Sequence, residues 1–186
     1  MQSMKTRPVP PFNQLPLSDA LKRDLRSNHA GEVGAVEIYR GILAVSRDDA
    51  VRRFAVRHLV AEQRHRRFFD SWLPGEWQSR LLKMWRAAGW SLGAVSALFG
   101  SRAVFRTIEA VESFVEIHYR DQIEAMSEKP ALAQLSRRLQ EFCDDEVEHR
   151  LDAARRSPAV QTGRTGAWSR LVGWGSAVGV AVARRV

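Results

Sequence analysis

The 186-residue chain has a single cysteine, Cys143. A lone cysteine cannot form an intramolecular disulfide, so the disulfide framework of a small secreted domain is excluded and a reducing cytosol fits best. We interpret Cys143 as a small core residue. The N-terminal residues are interrupted by prolines and lack the continuous apolar run of a secretory signal. We therefore expect a flexible tail over residues 1–17 and a single domain over residues 18–186.

Lysine is also scarce, since only four of the 29 basic residues are lysine and arginine carries most of the +8 net charge. Clustered guanidinium groups bind phosphate, either in nucleic acid or at an anionic membrane surface. A solvated arginine-rich surface without such a partner is the alternative. We favour an anionic membrane surface and expect no nucleic-acid partner.

No apolar run reaches the ~20 residues that a membrane-spanning helix needs. Residues 87–100 and 171–183 are nevertheless free of charge, and tryptophan and arginine flank both stretches. Such flanks are typical of helices that lie in the membrane interface. We therefore predict short amphipathic interfacial helices over residues 81–102 and 167–185, with two buried helices as the alternative. The flanking residues are Trp85, Arg86, Trp90, Arg102, Trp168, Arg170, Trp174, Arg184 and Arg185.

The first interfacial segment is expected to turn its apolar side chains toward lipid. We place Leu92, Val95 and Leu98 at the membrane contact, because all three are large and apolar within the uncharged stretch. If this is correct, the segment contributes to lipid binding and little to the protein core.

Elsewhere the apolar residues recur with helical spacing. Breaks at glycine and proline predict long helices over residues 18–46, 48–72, 103–127 and 131–155, with Ser18 as the N-cap of the first. The connection between the second and third helices is long. A long crossover is typical of a ferritin-like four-helix bundle, so we predict an all-α fold of that kind.

Four ionisable side chains fall on helix faces that are otherwise mostly apolar. Residues three or four apart share one face of a helix, so Glu62 lies beside His65 on the second helix and Glu146 lies beside His149 on the fourth. A carboxylate in an apolar core is costly unless it is paired or bound to a cation. These two Glu-x-x-His elements therefore indicate either exposure or a metal.

The first and third helices each add one inward glutamate. The apolar rows that contain them are Glu32, Val36, Tyr39 and Leu43 on the first helix and Ile108, Glu112, Val115 and Tyr119 on the third. Glu109 and Glu116 lie on a polar row of the third helix, and we expect both to face solvent.

These side chains together match the ligand set of di-iron and di-manganese bundles. That set takes one glutamate from each of two helices and Glu-x-x-His from each of the other two. Four glutamates also balance two divalent cations, and carboxylate with imidazole favours iron or manganese. The alternative is a coincidence of solvated acids. The predicted metal ligands are Glu32, Glu62, His65, Glu112, Glu146 and His149, and we predict no catalytic residue beyond them.

Neighbouring residues have two interpretations each. His58 is either a satisfied core histidine or a support for a ligand, and Asp145 either orients a ligand imidazole or is a surface acid. Gly31 and Gly34 either allow close helix approach beside Glu32 or mark a kink.

Four segments around the ligands carry a family resemblance. They are NHAGEVGAVEIYRG (28–41), HLVAEQRHRRFF (58–69), AVESFVEIHYRDQI (110–123) and DDEVEHR (144–150). Together with WRAAGWSLGA (85–94), they resemble the 5-demethoxyubiquinone hydroxylase family of ubiquinone biosynthesis, whose members are ferritin-like di-iron proteins. The C-terminal segment from Gln161 onward follows the family pattern only loosely.

The resemblance implies an O2-dependent di-iron monooxygenase in which the six predicted ligands hold two iron ions (Fe2+/Fe3+). It implies a polyprenylated methoxy-methyl-benzoquinone or quinol as substrate, NADH or the quinol as electron donor, and accessory ubiquinone-biosynthesis proteins as partners. The chain has no glycine fingerprint for a dinucleotide. Because the isoprenoid tail partitions into the bilayer, we expect a peripheral membrane protein on the cytoplasmic face of the bacterial inner membrane.

Two other functions use some of the same features. A ferritin-like iron-oxidising or storage protein has the same ligands and no organic substrate, but it does not need interfacial segments. A basic helical module that binds membranes or nucleic acid without catalysis would leave the six inward ligands unexplained.

Overall fold

The computed structural model describes residues 8–157 and 163–186, and for residues 163–171 and Trp174 it describes the helix but not the side chains. Its long elements are α1 (Asp19–Val45), α2 (Asp49–Trp72), α3 (Leu82–Leu98), α4 (Ser101–Met126), α5 (Ala133–Arg156) and α6 (Gly163–Ala183). Short 3-10 turns occur at Phe12–Gln14, Gly75–Trp77 and Pro130–Leu132. Within the described ranges there is no strand, so the predicted all-α fold is confirmed.

The helix ends follow from local capping. Ser18 is the N-cap of α1, as predicted, and its Oγ accepts the N–H of Leu21 at 3.3 Å. Asp48 caps α2 by accepting the N–H of Ala50 at 2.8 Å. Gly100 lies between α3 and α4 with φ of 91°, a left-handed conformation that favours glycine. Each of the four helices predicted as long begins and ends within two residues of its predicted bounds.

The bundle is built from two helix pairs joined by a crossover. The helix α1 packs against α2, and α4 packs against α5. Residues 73–100 form the crossover between α2 and α4, and the crossover contains α3, which packs along α1. The long crossover predicted from the sequence is therefore present.

Two hydrophobic clusters fill the interior, one toward each end of the bundle. The first includes Leu25, Phe69 and Phe142, and the second includes Phe54 and Ile108. Each of the four bundle helices contributes residues to both clusters. Along each helix, the predicted metal ligands lie between the residues of the first cluster and those of the second. Cys143 is buried in the first cluster, in line with its interpretation as a core residue.

Residues 8–17, which the sequence analysis treated as part of a tail, pack against the bundle. Phe12 is buried, and its ring lies 5.3 Å from that of Trp72. The Trp72 Nε1–H also donates to the carbonyl of Pro10 at 2.8 Å. Apolar burial and this hydrogen bond hold the segment over the first cluster, because Trp72 offers both a ring and a donor there.

The helix α3 packs on α1 with almost no side chain between the two backbones. A Cβ added to Gly93 would lie 2.0 Å from the carbonyl oxygen of Ile38, and one added to Gly89 would lie 2.3 Å from that of Gly34. Of the two interpretations of Gly34, close helix approach is the one that the geometry favours, because its backbone lies against Gly89, although a Cβ on Gly34 itself would lie no nearer than 3.8 Å to the carbonyl oxygen of Trp85. Close approach does not occur at Gly31, where an added Cβ would meet nothing within 4 Å.

The other side of α3 presents apolar side chains to the exterior. Leu98 and Phe99 are 72% and 76% exposed, and Val95 is also exposed. Leu92 differs from the prediction, because it is half-buried against the second cluster and lines an internal cavity. The first uncharged stretch is thus partly core and partly an exposed apolar surface.

No helix among the described residues is long and apolar enough to cross a membrane. The helix α6 packs against α4 and α1, and its Val172 joins the second cluster. The flanking residues Trp168, Arg170 and Trp174, which the sequence analysis placed at the membrane, lie outside the described side chains.

Candidate metal centre

The structure brings all six predicted ligands together in the middle of the bundle. Each is at most 4% exposed. The contributions are Glu32 from α1, Glu62 and His65 from α2, Glu112 from α4, and Glu146 and His149 from α5. Helical spacing therefore assigned each of these side chains to the correct face.

The six residues form two overlapping groups. In each group one atom from every residue lies within 4.8 Å of the others, and the groups are Glu32, Glu62, His65, Glu146 and Glu62, Glu112, Glu146, His149. Glu62 and Glu146 belong to both. The arrangement has room for two cations that share two carboxylates, each completed by one further glutamate and one histidine.

The imidazoles approach the carboxylates through their Nδ1 atoms. His65 Nδ1 lies 3.1 Å from Glu146 Oε1 and 3.5 Å from Glu32 Oε2. His149 Nδ1 lies 3.0 Å from Glu62 Oε1 and 3.3 Å from Glu146 Oε2. Both nitrogens therefore point toward the same oxygens that a metal pair would bind.

Despite these short distances, several of these buried atoms have no hydrogen-bond partner among the described residues. They are both oxygens of Glu62 and of Glu146, Oε2 of Glu32, and Nδ1 of His65 and of His149. Buried polar atoms are normally paired, and an unpaired carboxylate in a core is costly. Cations between these atoms would satisfy all of them at once, so the residues present fit a two-metal centre of the iron or manganese type.

In the protein without bound cations, the pKa values of several predicted ligands are shifted from their usual ranges. Burial, and then the nearby Glu146, raise the pKa of Glu62 to about 8, and the same causes raise the pKa of Glu112 well above its usual range. Burial opposes the charge on His149, but Glu146 and Glu62 outweigh it and raise the pKa of that imidazole to about 11. Without cations, Glu62 and Glu112 therefore favour the protonated form. Burial also opposes the charge on Glu146, but His149 and His65 outweigh it and lower the pKa of that carboxyl.

Glu32 and Glu112, which each belong to only one ligand group, both accept a hydrogen bond from a tyrosine. The Tyr119 hydroxyl on α4 donates to Glu32 on α1, and the Tyr39 hydroxyl on α1 donates to Glu112 on α4 at 3.3 Å. These are the only two tyrosines in the chain. The sequence places both tyrosines on the ligand rows, but we predicted no role for them. Each tyrosine follows the glutamate of its own helix by seven residues, and this shared spacing is the signal that could have indicated a role.

Asp145 contacts the ring nitrogen of His65 that faces away from the ligand group. Asp145 Oδ2 accepts a hydrogen bond from His65 Nε2 at 2.8 Å and also binds Arg64. Of its two interpretations, the orienting role is therefore the one that the geometry favours.

His58 pairs with Asp152 at 3.0 Å, and its ring lies 4.3 Å from that of His149. His58 is thus a satisfied core histidine, and Asp152 is a partner that the sequence did not single out.

An apolar cavity of about 440 Å³ leads to the centre between α1, α3, α4 and α6. Its walls include Ile38, Leu92, Val111, Phe114 and Val180. The four glutamates Glu32, Glu62, Glu112 and Glu146 line its inner end. Three of its lining residues are exposed, Gly31 of α1, Ala88 of α3 and Gly175 of α6, so the cavity opens to solvent beside these helices.

The chain is similar to known proteins along most of its length. The family model described as "Ubiquinone biosynthesis protein COQ7" matches residues 19–183. The chain is 34% identical over 164 residues to the 3-demethoxyubiquinol 3-hydroxylase of Rhodospirillum rubrum, which covers 83% of this chain and 76% of that protein. It is 32% identical over 176 residues to the protein of the same name from Bordetella petrii, covering 89% and 75%.

A mitochondrial relative is similar over a shorter region. The chain is 35% identical over 133 residues to the NADPH-dependent 3-demethoxyubiquinone 3-hydroxylase of Dictyostelium discoideum, and the match covers 69% of this chain. The matched region corresponds to 61% of the length of that relative. On the match to the family model and these similarities, the chain belongs to the ubiquinone biosynthesis protein COQ7 family.

Proposed function

We propose that this chain is an O2-dependent di-iron monooxygenase that hydroxylates the ring of a polyprenylated methoxy-methyl-benzoquinone or its quinol, demethoxyubiquinone or demethoxyubiquinol, in ubiquinone biosynthesis. The observation that carries the proposal is the apolar cavity that ends at the four buried glutamates. An iron-storing protein needs only a path for hydrated ions. An apolar cavity suits an aromatic ring with a hydrocarbon tail. The names of the relatives, which are hydroxylases of this ring, support the same substrate class.

In this proposal the metal ligands are the six residues predicted from the sequence. Glu32 and His65 would complete one iron position, Glu112 and His149 would complete the other, and Glu62 and Glu146 would be shared. When bound, the iron pair supplies the redox chemistry with O2 that the amino-acid side chains lack.

The protein's own residues would position the reactants. The apolar walls exclude water from the ring and from the carboxylates, which strengthens each electrostatic interaction inside. Tyr39, Tyr119 and Asp145 would hold their ligands in fixed orientations, so that the ligand shell is formed before substrate enters.

The proposal includes peripheral binding to the cytoplasmic face of the bacterial inner membrane. The helix α3 borders the opening of the cavity together with α1 and α6. In and next to α3, Leu98 and Phe99 are exposed, as are the cationic residues Lys83, Arg86 and Arg102. Apolar side chains next to cations favour an anionic lipid surface. A substrate whose isoprenoid tail stays in the bilayer could then pass its ring along α3 into the cavity.

The electron donor is either NADH or the quinol itself. The bacterial relatives are named for the quinol and the mitochondrial ones for NADPH and the quinone. Turnover of the quinol without any nicotinamide would assign the electrons to the substrate. A strict need for NADH would require a nicotinamide site, a reductase or an accessory ubiquinone-biosynthesis protein.

One turnover experiment tests the function. Full-length protein is loaded with ferrous iron under anaerobic conditions, given demethoxyubiquinol, and exposed to isotopically heavy O2. We expect a product with one added heavy oxygen on the ring. Glu62→Ala, which removes a shared carboxylate, should give none. Iron oxidation without any product in the unmodified protein would instead support the iron-oxidising alternative.

A further inference from the structure

The cavity is apolar except for a polar side formed by Ser27, Asn28 and His118. The amide of Asn28 is paired in both directions with that of Gln122, at 2.8 and 2.9 Å, which fixes its orientation. His118 is different. Of its two ring nitrogens, only Nε2 has a hydrogen-bond partner among the described residues, and that partner is Ser27 Oγ at 3.0 Å.

The serine fixes which nitrogen of His118 carries the proton. Ser27 Oγ donates its single hydrogen to the carbonyl oxygen of Asp24 at 2.7 Å. It can therefore only accept at the His118 contact, so Nε2 carries the hydrogen there. Burial, and then the nearby Arg184, lower the pKa of His118 to about 4, so the ring is neutral at pH 7. In a neutral imidazole with hydrogen on Nε2, Nδ1 is an acceptor.

The Nδ1 atom is open to a ligand. Within the part of the chain that the structure describes it has no hydrogen-bond partner, and it is not among the fully buried side-chain atoms that lack one. The ring itself lines the cavity. His118 also lies six residues after Glu112 on α4, about 9 Å along the helix axis, and both residues line the same space.

We propose that Nδ1 of His118 accepts a hydrogen bond from a ring hydroxyl of the substrate, so that the cavity selects the quinol over the quinone. This assignment rests on the proposed substrate class. A quinol hydroxyl donates a hydrogen bond, whereas a quinone carbonyl presents only lone pairs. A fixed acceptor therefore pairs with the quinol and leaves both the imidazole and the carbonyl unpaired in the quinone complex. The same contact sets which edge of the ring faces the metal ligands.

Binding of the two redox forms tests the assignment. The full chain is loaded with zinc, which has no redox chemistry of its own. Its affinities for a short-tailed demethoxyubiquinol and for the matching quinone are then measured without O2, by tryptophan fluorescence, since Trp85 lines the cavity. We expect the quinol to bind about tenfold more tightly, as one buried hydrogen bond allows. His118→Phe should weaken the quinol about tenfold and leave the quinone unchanged.

Two further variants separate the hydrogen bond from packing. Ser27→Ala keeps the imidazole but frees its tautomer, so the preference for quinol should fall without loss of the ring contact. Ile117→Ala, next to His118 but 60% exposed and outside the cavity wall, should change neither affinity. Nitrogen NMR of the unmodified protein should show hydrogen on Nε2 of His118 and none on Nδ1.

The outcomes are distinct. Equal affinity for the two forms, or equal loss of both in His118→Phe, would overturn the acceptor role while leaving the proposed function in place. Hydrogen on Nδ1 in the NMR spectrum would overturn it as well. Failure of the unmodified protein to bind either form would overturn the proposed substrate class and this assignment with it.

Discussion

Tyr119 on α4 donates its hydroxyl hydrogen to Glu32 on α1, directly across the bundle. Tyr39 on α1 makes the reciprocal contact with Glu112 on α4. Burial, and then the neighbouring glutamates, raise the pKa of both tyrosines well above the usual range, so both hydroxyls keep the hydrogen that they donate. The two contacts relate α1 and α4 by an approximate two-fold arrangement around the candidate metal centre.

The first prediction concerns these two hydroxyls. Tyr119→Phe or Tyr39→Phe removes the hydrogen bond and keeps the ring, so the glutamate loses its fixed orientation. We expect metal affinity to fall roughly tenfold in each variant, as for other residues that support a ligand. Competition against a chelator measures the affinity, and far-ultraviolet circular dichroism checks the helices. Unchanged affinity in both variants would show that packing alone orients the glutamates.

The second prediction compares acids on two faces of α4. Glu112 is buried, whereas Glu109 is only half-buried and has no place in the ligand groups. Glu112→Ala should reduce the iron content from about two per chain to one or fewer, and Glu109→Ala should retain full content. Iron is measured per folded chain. Equal loss in the two variants would mean that the assignment of the helix face is incorrect.

Glu116, on the same polar row, needs a separate expectation. It accepts hydrogen bonds from Arg120 at 3.0 Å and from Arg150 of α5 at 2.8 Å, so it joins two helices instead of making only a surface pair along α4. Glu116→Ala should keep the iron and lower the free energy of unfolding by about 1 kcal/mol.

The third prediction concerns Asp145. Asp145→Ala leaves the Nε2–H of His65 without its acceptor, so the imidazole is held less firmly and metal affinity should fall between roughly ten- and a hundredfold. Asp144→Ala is the matched control, because the neighbouring Asp144 is exposed and accepts a hydrogen bond from Gln140 on its own helix. Isothermal titration with ferrous iron compares them. Similar affinities for the two variants would make Asp145 an ordinary surface acid.

The fourth prediction concerns the contact between α1 and α3. Gly93→Ala places a methyl group against the Ile38 carbonyl, so the helices must separate, and the protein should lose about 1–3 kcal/mol of stability. Gly31→Ala is the control on α1, because its methyl group meets nothing and alanine favours the helix; it should gain about 0.5–1 kcal/mol. Urea unfolding measures both. A neutral Gly93→Ala would show that the two helices move apart freely.

The fifth prediction concerns the membrane. Replacing Met84, Leu98 and Phe99 with serine removes exposed apolar surface from α3 and should lower binding to anionic liposomes at least about tenfold. Salt should weaken the binding of the unmodified protein without abolishing it, because screening acts only on the charged contribution. Serine at Val56 and Val60, which are exposed on α2, provides the matched control. Equal binding by both variants would exclude α3 as the membrane contact.

The helices and the faces that carry the ligands could be read from the sequence because both depend on local spacing. Ser18 and the glycine and proline breaks set the helix ends, and a period of 3.6 residues places Glu62 beside His65 on one face. The high cost of a buried carboxylate makes such a pair conspicuous in an apolar row.

The spacing of residues along the sequence could not predict which face of α3 is buried. Its central residues are apolar on every side, so helical periodicity gives no contrast between a buried and an exposed face. The prediction therefore placed Leu92 with Val95 and Leu98 at the membrane, whereas the glycines that contact α1 turn Leu92 toward the cavity.

The sequence by itself determined the all-α fold, the bounds of four helices and the six inward side chains, because each follows from residues within a few positions of one another. The tertiary structure alone decided which tyrosine reaches which glutamate, where α3 touches α1, and which nitrogen of His118 contacts Ser27. These depend on distances between segments far apart in the chain, such as Ser27 and His118. Local spacing does not encode such distances, and packing of the whole bundle fixes them.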